Sequence, residues 1–254
     1  MSAETFPSQV VAAQTPVVDQ SAVIQNLRKD LSRFRCTERL DAYQQVVSTG
    51  ISALDNILPG QGLRRGWLCE WIAAEPGSGT VSLAMRTAGQ AQLGGPLIIV
   101  DHQKRFYPPA FSAAGVTLEN TILVRPKSHG DALWAIEQSL RCPGVGAVMC
   151  RIDHLNTQEF RRLQLATETG TAVGLLIRPA SAQRQSGWAD VRLLVSPRPS
   201  LPRSFHRRLE VRCVYAKGAM TEQTVELELS DETNTVLVAT QLSNSTPALR
   251  ATET

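Results

Sequence analysis

No two of the five cysteines form a C-x-x-C pair and no two of the four histidines are close neighbours, so the ligand spacing of a zinc site is missing. Cys36, Cys69, Cys142, Cys150 and Cys213 are odd in number and scattered, which excludes a disulfide framework and points to a reducing compartment. Cys69 and Cys150 stand in apolar runs, where small buried thiols are common. No stretch approaches ~18 apolar residues and no basic-then-apolar leader is visible, so neither membrane crossing nor export is expected and a cytoplasmic location follows. Charge of one sign is also scarce. A formal net charge of +3 does not by itself mark a nucleic-acid binder. What is present is 254 residues, 43% of them apolar, enough to bury one substantial core with tails or a small extra unit.

The pattern along the chain predicts a loose tail over 1–18, rich in Ser, Thr, Pro, Gln, Ala and Val. An N-terminal helical segment is expected over 19–46. Asp19 or Ser21 caps a helix to about Arg35 that carries Val23, Leu27, Leu31 and Phe34 on one face. The core is expected over 47–240. It opens with a short helix at Ile51–Leu58, closed by Pro59 and Gly60, and a buried strand from Trp67 to Ala73. Helices then alternate with strands at 97–100, 121–124, 145–150 and 172–177, the mark of crossover units in a mostly parallel sheet with helices on both faces. From about 190 the period changes. Strands near 190–195, 209–215, 224–229 and 236–239 predict a mixed or antiparallel extension, followed by a frayed tail over 241–254.

Between the strand ending at Ala73 and the next helix runs E-P-G-S-G-T-V-S, residues 75–82. Gly77, Ser78 and Gly79 permit an anion-cradling turn, and Thr80, Val81 and Ser82 open the helix. Thr80 stands at the usual lysine position and Val81 at the usual magnesium-binding hydroxyl, the two groups that handle the outer phosphates and the metal. Weak anion binding remains open; tight hydrolytic binding of a triphosphate is not expected. Asp101 closes a strand, a position where catalytic carboxylates occur, and also where an acceptor anchors a loop. The strand ending at Cys150 is followed by Arg151 where phosphoryl transfer wants an acid, and Asp153 reads as a turn or cap residue.

Two other patches invite a partner. His102, Lys104, Arg105, Phe106 and Tyr107 form a basic-aromatic cluster that can stack a nucleic-acid strand, anchor a protein, or form only a rigid turn at Tyr107–Pro109. Arg198, Arg203, Arg207, Arg208 and Arg212 crowd a late segment, ahead of acidic residues at Glu222, Glu226, Glu228 and Asp231. A phosphate-touching rim and an ordinary solvated face are both open readings, with the solvated face preferred. Trp188 reads as an edge tryptophan covering the core in preference to a contact residue.

The stretch from Val47 through S-T-G-I-S-A-L-D-N-I-L to G62-L-R-R-G-W, the loop at 75–82 and I-I-V-D ending at Asp101 together resemble the RecA recombinase core, over about half the chain. The resemblance implies a RecA-like fold with a phosphate loop. It also places Thr80 at the lysine, Val81 at the magnesium threonine, Gln103 at the water-activating glutamate, and Cys150 or Arg151 at the second acidic position. A degenerate group, the ImuA-type accessory proteins of bacterial translesion synthesis with SulA as a distant relation, is similar in this respect. It implies a noncatalytic adaptor in the DNA damage and SOS response, without a cofactor. Its partners would be polymerase-like translesion proteins and RecA itself, with DNA contact weak or indirect. The alternatives are a divergent P-loop ATPase using the loop backbone, Ser82 and Asp101, and a single-stranded DNA-binding module using the basic segments.

Overall fold

The computed structural model describes residues 45–200, 206–219, 222–230 and 236–238. The expected tails at 1–18 and 241–254, the helix at 19–35 and Arg203 lie outside the described residues. The S-T-G-I-S-A-L-D motif is a hydrogen-bonded knot. The Asp55 carboxylate accepts the Thr49 backbone N–H and hydroxyl, both at 2.7 Å, and the Ser48 hydroxyl at 2.5 Å. That knot starts helix α1 (Ser52–Asn56), which is flanked by the antiparallel ribbon of β1 (Val46–Val47) and β2 (Leu63–Arg64).

Among the described residues the main sheet has nine strands in the order β11-β10-β9-β8-β3-β7-β6-β4-β5. Its parallel part consists of β3 (Leu68–Ala73), β4 (Leu97–Val100), β5 (Thr121–Val124), β6 (Ala147–Arg151), β7 (Val173–Arg178) and β8 (Val191–Arg198). Near-continuous apolar runs such as L-I-I-V in β4 fit strands covered on both faces. Helix α2 (Thr80–Ala91) packs Leu83, Ala84 and Ala88 against Trp71, Ile99, Met149 and Leu175. The intervening strand residues meet α4 (His129–Arg141) and α5 (Thr157–Thr169) on the opposite face, where Gly174 lies against Leu68, Leu140 and Thr167. A capping box, Asn156 with Glu159, starts α5. The double proline at 108–109 opens a short helix, α3 (Pro108–Ala113), with proline in its first turn where its missing N–H costs nothing.

After β8 the chain turns antiparallel. Strands β9 (His206–Ala216), β10 (Gln223–Ser230) and β11 (Val236–Val238) extend the sheet. Their two-residue period sends Leu209, Val211 and Cys213 into the core and Arg208, Glu210 and Arg212 outward. The mostly parallel sheet with helices on both faces and an antiparallel extension is the architecture the sequence pattern predicts.

Candidate functional site

The Gly-rich loop joins β3 to α2, as its sequence requires. Gly77 and Gly79 take φ of +83° and +78°, values that side chains resist, so the two glycines are what let the loop turn. Gly79 is also sealed from one side. A Cβ placed on it would lie 2.7 Å from Cδ1 of Leu209, which reaches over from β9 and is itself 1% exposed. Ser78 and Thr80 are both buried and their hydroxyls share a hydrogen bond of 2.7 Å. Val81 packs against the core, and Ser82 is half-buried. The side chains that would address phosphate and metal are thus engaged with the protein itself.

Asp101 lies at the end of β4 and is 2% exposed. Its carboxylate accepts the backbone N–H of Arg105 at 2.8 Å and of Phe106 at 3.4 Å, and pairs with Arg125 at 3.7 Å. These contacts fold the loop over 101–107 onto the strand end. They turn Phe106 inward to stack on Phe111 at 5.5 Å between ring centroids, so Phe106 is withdrawn from the surface patch in which its sequence placed it. Lys104, Arg105 and Tyr107 remain exposed, Tyr107 at 67%, while His102 is half-buried against the Pro126 carbonyl. Gln103 donates its side-chain amide to Asp153 at 2.8 Å.

The late arginines meet their own sheet. Arg198 pairs with Glu210, Arg208 with Glu226 at 3.1 Å and Glu228 at 3.5 Å, and Arg212 with Glu222 at 3.9 Å. The register that sets Arg208 opposite Glu228 makes this a cross-strand charge ladder. Arg207 is exposed on the same strand. Trp188 is 46% exposed, with the Arg161 guanidinium 4.6 Å from its ring centroid.

Sequence reasoning missed a buried charge cluster on the α4–α5 face. Glu70 in β3, 2% exposed, accepts from Arg192 Nε at 2.5 Å and pairs with Arg178 at 3.5 Å. Gln185 and the Ala182 carbonyl accept from the far ends of the two guanidiniums at 2.9 and 2.7 Å. Burial lowers the Arg178 pKa, with Glu70 opposing that shift. The signal was available: a lone glutamate inside L-C-E-W-I-A, and an arginine closing the apolar strand over 173–178. Leu209 was missed for another reason. It reads as one more apolar strand residue, and only the sheet order carries it to the loop.

Strand order, the loop between β3 and α2, and helices on both faces define a RecA-like α/β fold. Over part of its length and at low identity the chain is homologous to RecA. It is 31% identical over 160 residues to protein RecA of Chlorobaculum tepidum, covering 59% of this chain and 45% of that protein. Identity to protein RecA of Chlorobium chlorochromatii is 35% over 106 residues, 41% of this chain and 30% of the relative. For Streptococcus pyogenes RecA it is 31% over 114 residues, 43% and 30%. The matches thus span less than half the length of these curated relatives. No family model matches the chain. Among the described residues no group of His, Cys, Asp or Glu is placed to hold a metal ion, and no helix is long and apolar enough to cross a membrane.

Proposed function

We propose that this chain is a noncatalytic RecA-like adaptor of the DNA damage response, acting in translesion synthesis through protein contacts. The observation that carries the reading is the state of the phosphate loop. Leu209 packs against Gly79, the Thr80 hydroxyl is spent on Ser78, and Val81 is partly buried against the core. Phosphoryl transfer runs on positioned positive charge and metal. This loop has an alcohol and an isopropyl group where those would be supplied. Asp101, the carboxylate nearest in role, is committed to two backbone amides and Arg125.

The partners in this reading are polymerase-like translesion proteins and RecA. Support for DNA as a direct partner is weaker, because Arg198, Arg208 and Arg212 each face a glutamate. Calorimetry with ATP and magnesium tests the reading. The expected result is no magnesium-dependent uptake and no phosphate release; turnover abolished by Gly79→Ala would establish a divergent ATPase instead. A pull-down with translesion polymerase partners tests the adaptor half, and failure of the full chain to capture any of them counts against it.

A further inference from the structure

The loop over 101–107 and the turn after β5 are tied into one surface. The Asp101 carboxylate holds the backbone of Arg105 and Phe106 and the Arg125 guanidinium at once, and the His102 ring meets the Pro126 carbonyl at 3.2 Å. Lys104 is kept at a φ of +53°, a conformation that a side chain resists, with its N–H 3.4 Å from the Asp101 carbonyl. Phe106, stacked on Phe111, anchors the loop from below. Lys104, Arg105, Arg125 and Lys127 thereby stand exposed on two loops joined at one carboxylate, next to the exposed Tyr107 ring. Among the described residues Arg125 has Asp101 as its partner, whereas Lys104, Arg105 and Lys127 have no ion pair. The late arginines differ, since Arg198, Arg208 and Arg212 each face a glutamate.

We propose that this surface docks an acidic segment of a partner protein, with carboxylates on Lys104, Arg105 and Lys127 and an apolar side chain against the Tyr107 ring. Aromatic and arginine side chains are the anchors that protein interfaces favour. The pinned loop presents them with little ordering left to lose on binding. Unpaired exposed cations also steer an acidic partner and raise its rate of association. A nucleic-acid strand asks for something else, a basic groove that tracks its backbone. Here the basic surface is a spot. It gives way to Asp131, hydrogen-bonded to the Ser128 hydroxyl, beyond Lys127, and to Asp153, held by the Gln103 amide, beside the loop. The inference rests on the adaptor reading in one respect, that the partner is a protein.

Selection of a random nonapeptide display library on the full chain, followed by fluorescence anisotropy of the labelled peptides it yields, tests this. The expected sequences carry Asp or Glu residues beside one large apolar residue and bind more weakly as salt is raised. Lys104→Ala with Lys127→Ala should weaken them about tenfold, and Tyr107→Ala by a similar factor. All three side chains are exposed, and the melting temperature of each variant separates lost docking from lost folding. Arg184→Ala, on the exposed connection after β7, should leave binding unchanged. No enriched sequence, neutral or basic winners, or winners that bind these variants unchanged overturn the proposal, as does a single-stranded oligonucleotide that binds the patch more tightly than they do. Polymerase partners captured by the full chain while no acidic peptide is selected would remove this site and spare the adaptor reading. Acidic peptides bound at the patch, with no polymerase partner captured, would establish the site and remove those partners.

Discussion

Leu209 and Gly79 are 130 positions apart in the chain, yet a single methyl on the glycine would put the two carbons 2.7 Å apart. The leucine is fully inside the core and the glycine carries a positive φ. Leu209→Ala therefore opens a cavity beneath the loop and should cost about 2–5 kcal/mol in denaturant unfolding. Gly79→Ala should also destabilise, through both strain and overlap. Leu209→Ala alone should not confer binding of magnesium and ATP, measured by calorimetry, because the lysine and the metal hydroxyl are still missing.

Restoring those two groups should fail as well. Thr80 is 2% exposed and hydrogen-bonded to Ser78. Thr80→Lys with Val81→Thr breaks that bond and forces an ammonium group out of a packed site. The double variant is expected to melt below the parent and to show no rise in melting temperature with magnesium and ATP. A clear ligand-induced rise would mean that these two substitutions suffice for the loop to bind the nucleotide.

Glu70 is shared by Arg178 and Arg192 and is almost wholly buried. Glu70→Gln takes the paired carboxylate from the buried Arg178 and the half-buried Arg192, and the expected loss is about 3–5 kcal/mol. Replacing Glu70, Arg178 and Arg192 together with apolar residues of similar volume should cost much less than the single change. Urea unfolding of the two variants side by side checks the order.

Burial pushes the Cys150 thiol up to about 12 from 9.0. The unfolded chain therefore loses this proton first as pH rises. The contribution of the neutral buried thiol is complete below about pH 9 and is lost as pH climbs towards about 12. Cys69 adds in the same direction. Stability should fall with pH in that alkaline window, and Cys150→Ser, which has no thiol to ionise there, should flatten the slope. Under native conditions at neutral pH, Cys69 and Cys150 should resist alkylation and react once the chain is unfolded.

The charge ladder of β9 and β10 sets how the late arginines behave. Glu226→Gln with Glu228→Gln frees Arg208 from both partners. Affinity for single-stranded DNA is expected to rise, with a steep loss on adding salt, while thermal stability changes little because both pairs are partly exposed. Fluorescence anisotropy across a salt series reads both.

Much of the fold was legible because local signals agreed. Apolar runs such as 97–100 marked covered strands, and the change of period after 190 marked the mixed, antiparallel extension, whereas the short helix opened by Pro108 was not expected, its prolines reading as a rigid turn. The candidate site was legible only as far as chain neighbours decide it. Thr80 and Val81 open the helix after the loop, as the spacing places them. Phe106 turned inward because Asp101 pulls the next loop onto the sheet, a contact that composition does not encode. The arginines at 198 and 208 lost their basic surface to glutamates that strand register brings opposite or diagonal to them, and Arg212 to Glu222 just before β10. Long-range pairing was the missing information in each case.

The residue that closes the loop comes from a strand made after the whole parallel sheet. A chain still emerging from the ribosome, with β3 to β8 complete and β9 not yet out, holds Gly79 uncovered. The cover arrives only with the final quarter of the polypeptide, so an arrested or clipped product ending before His206 would lack Leu209 and leave Gly79 more open than in the finished protein, where it is half-buried.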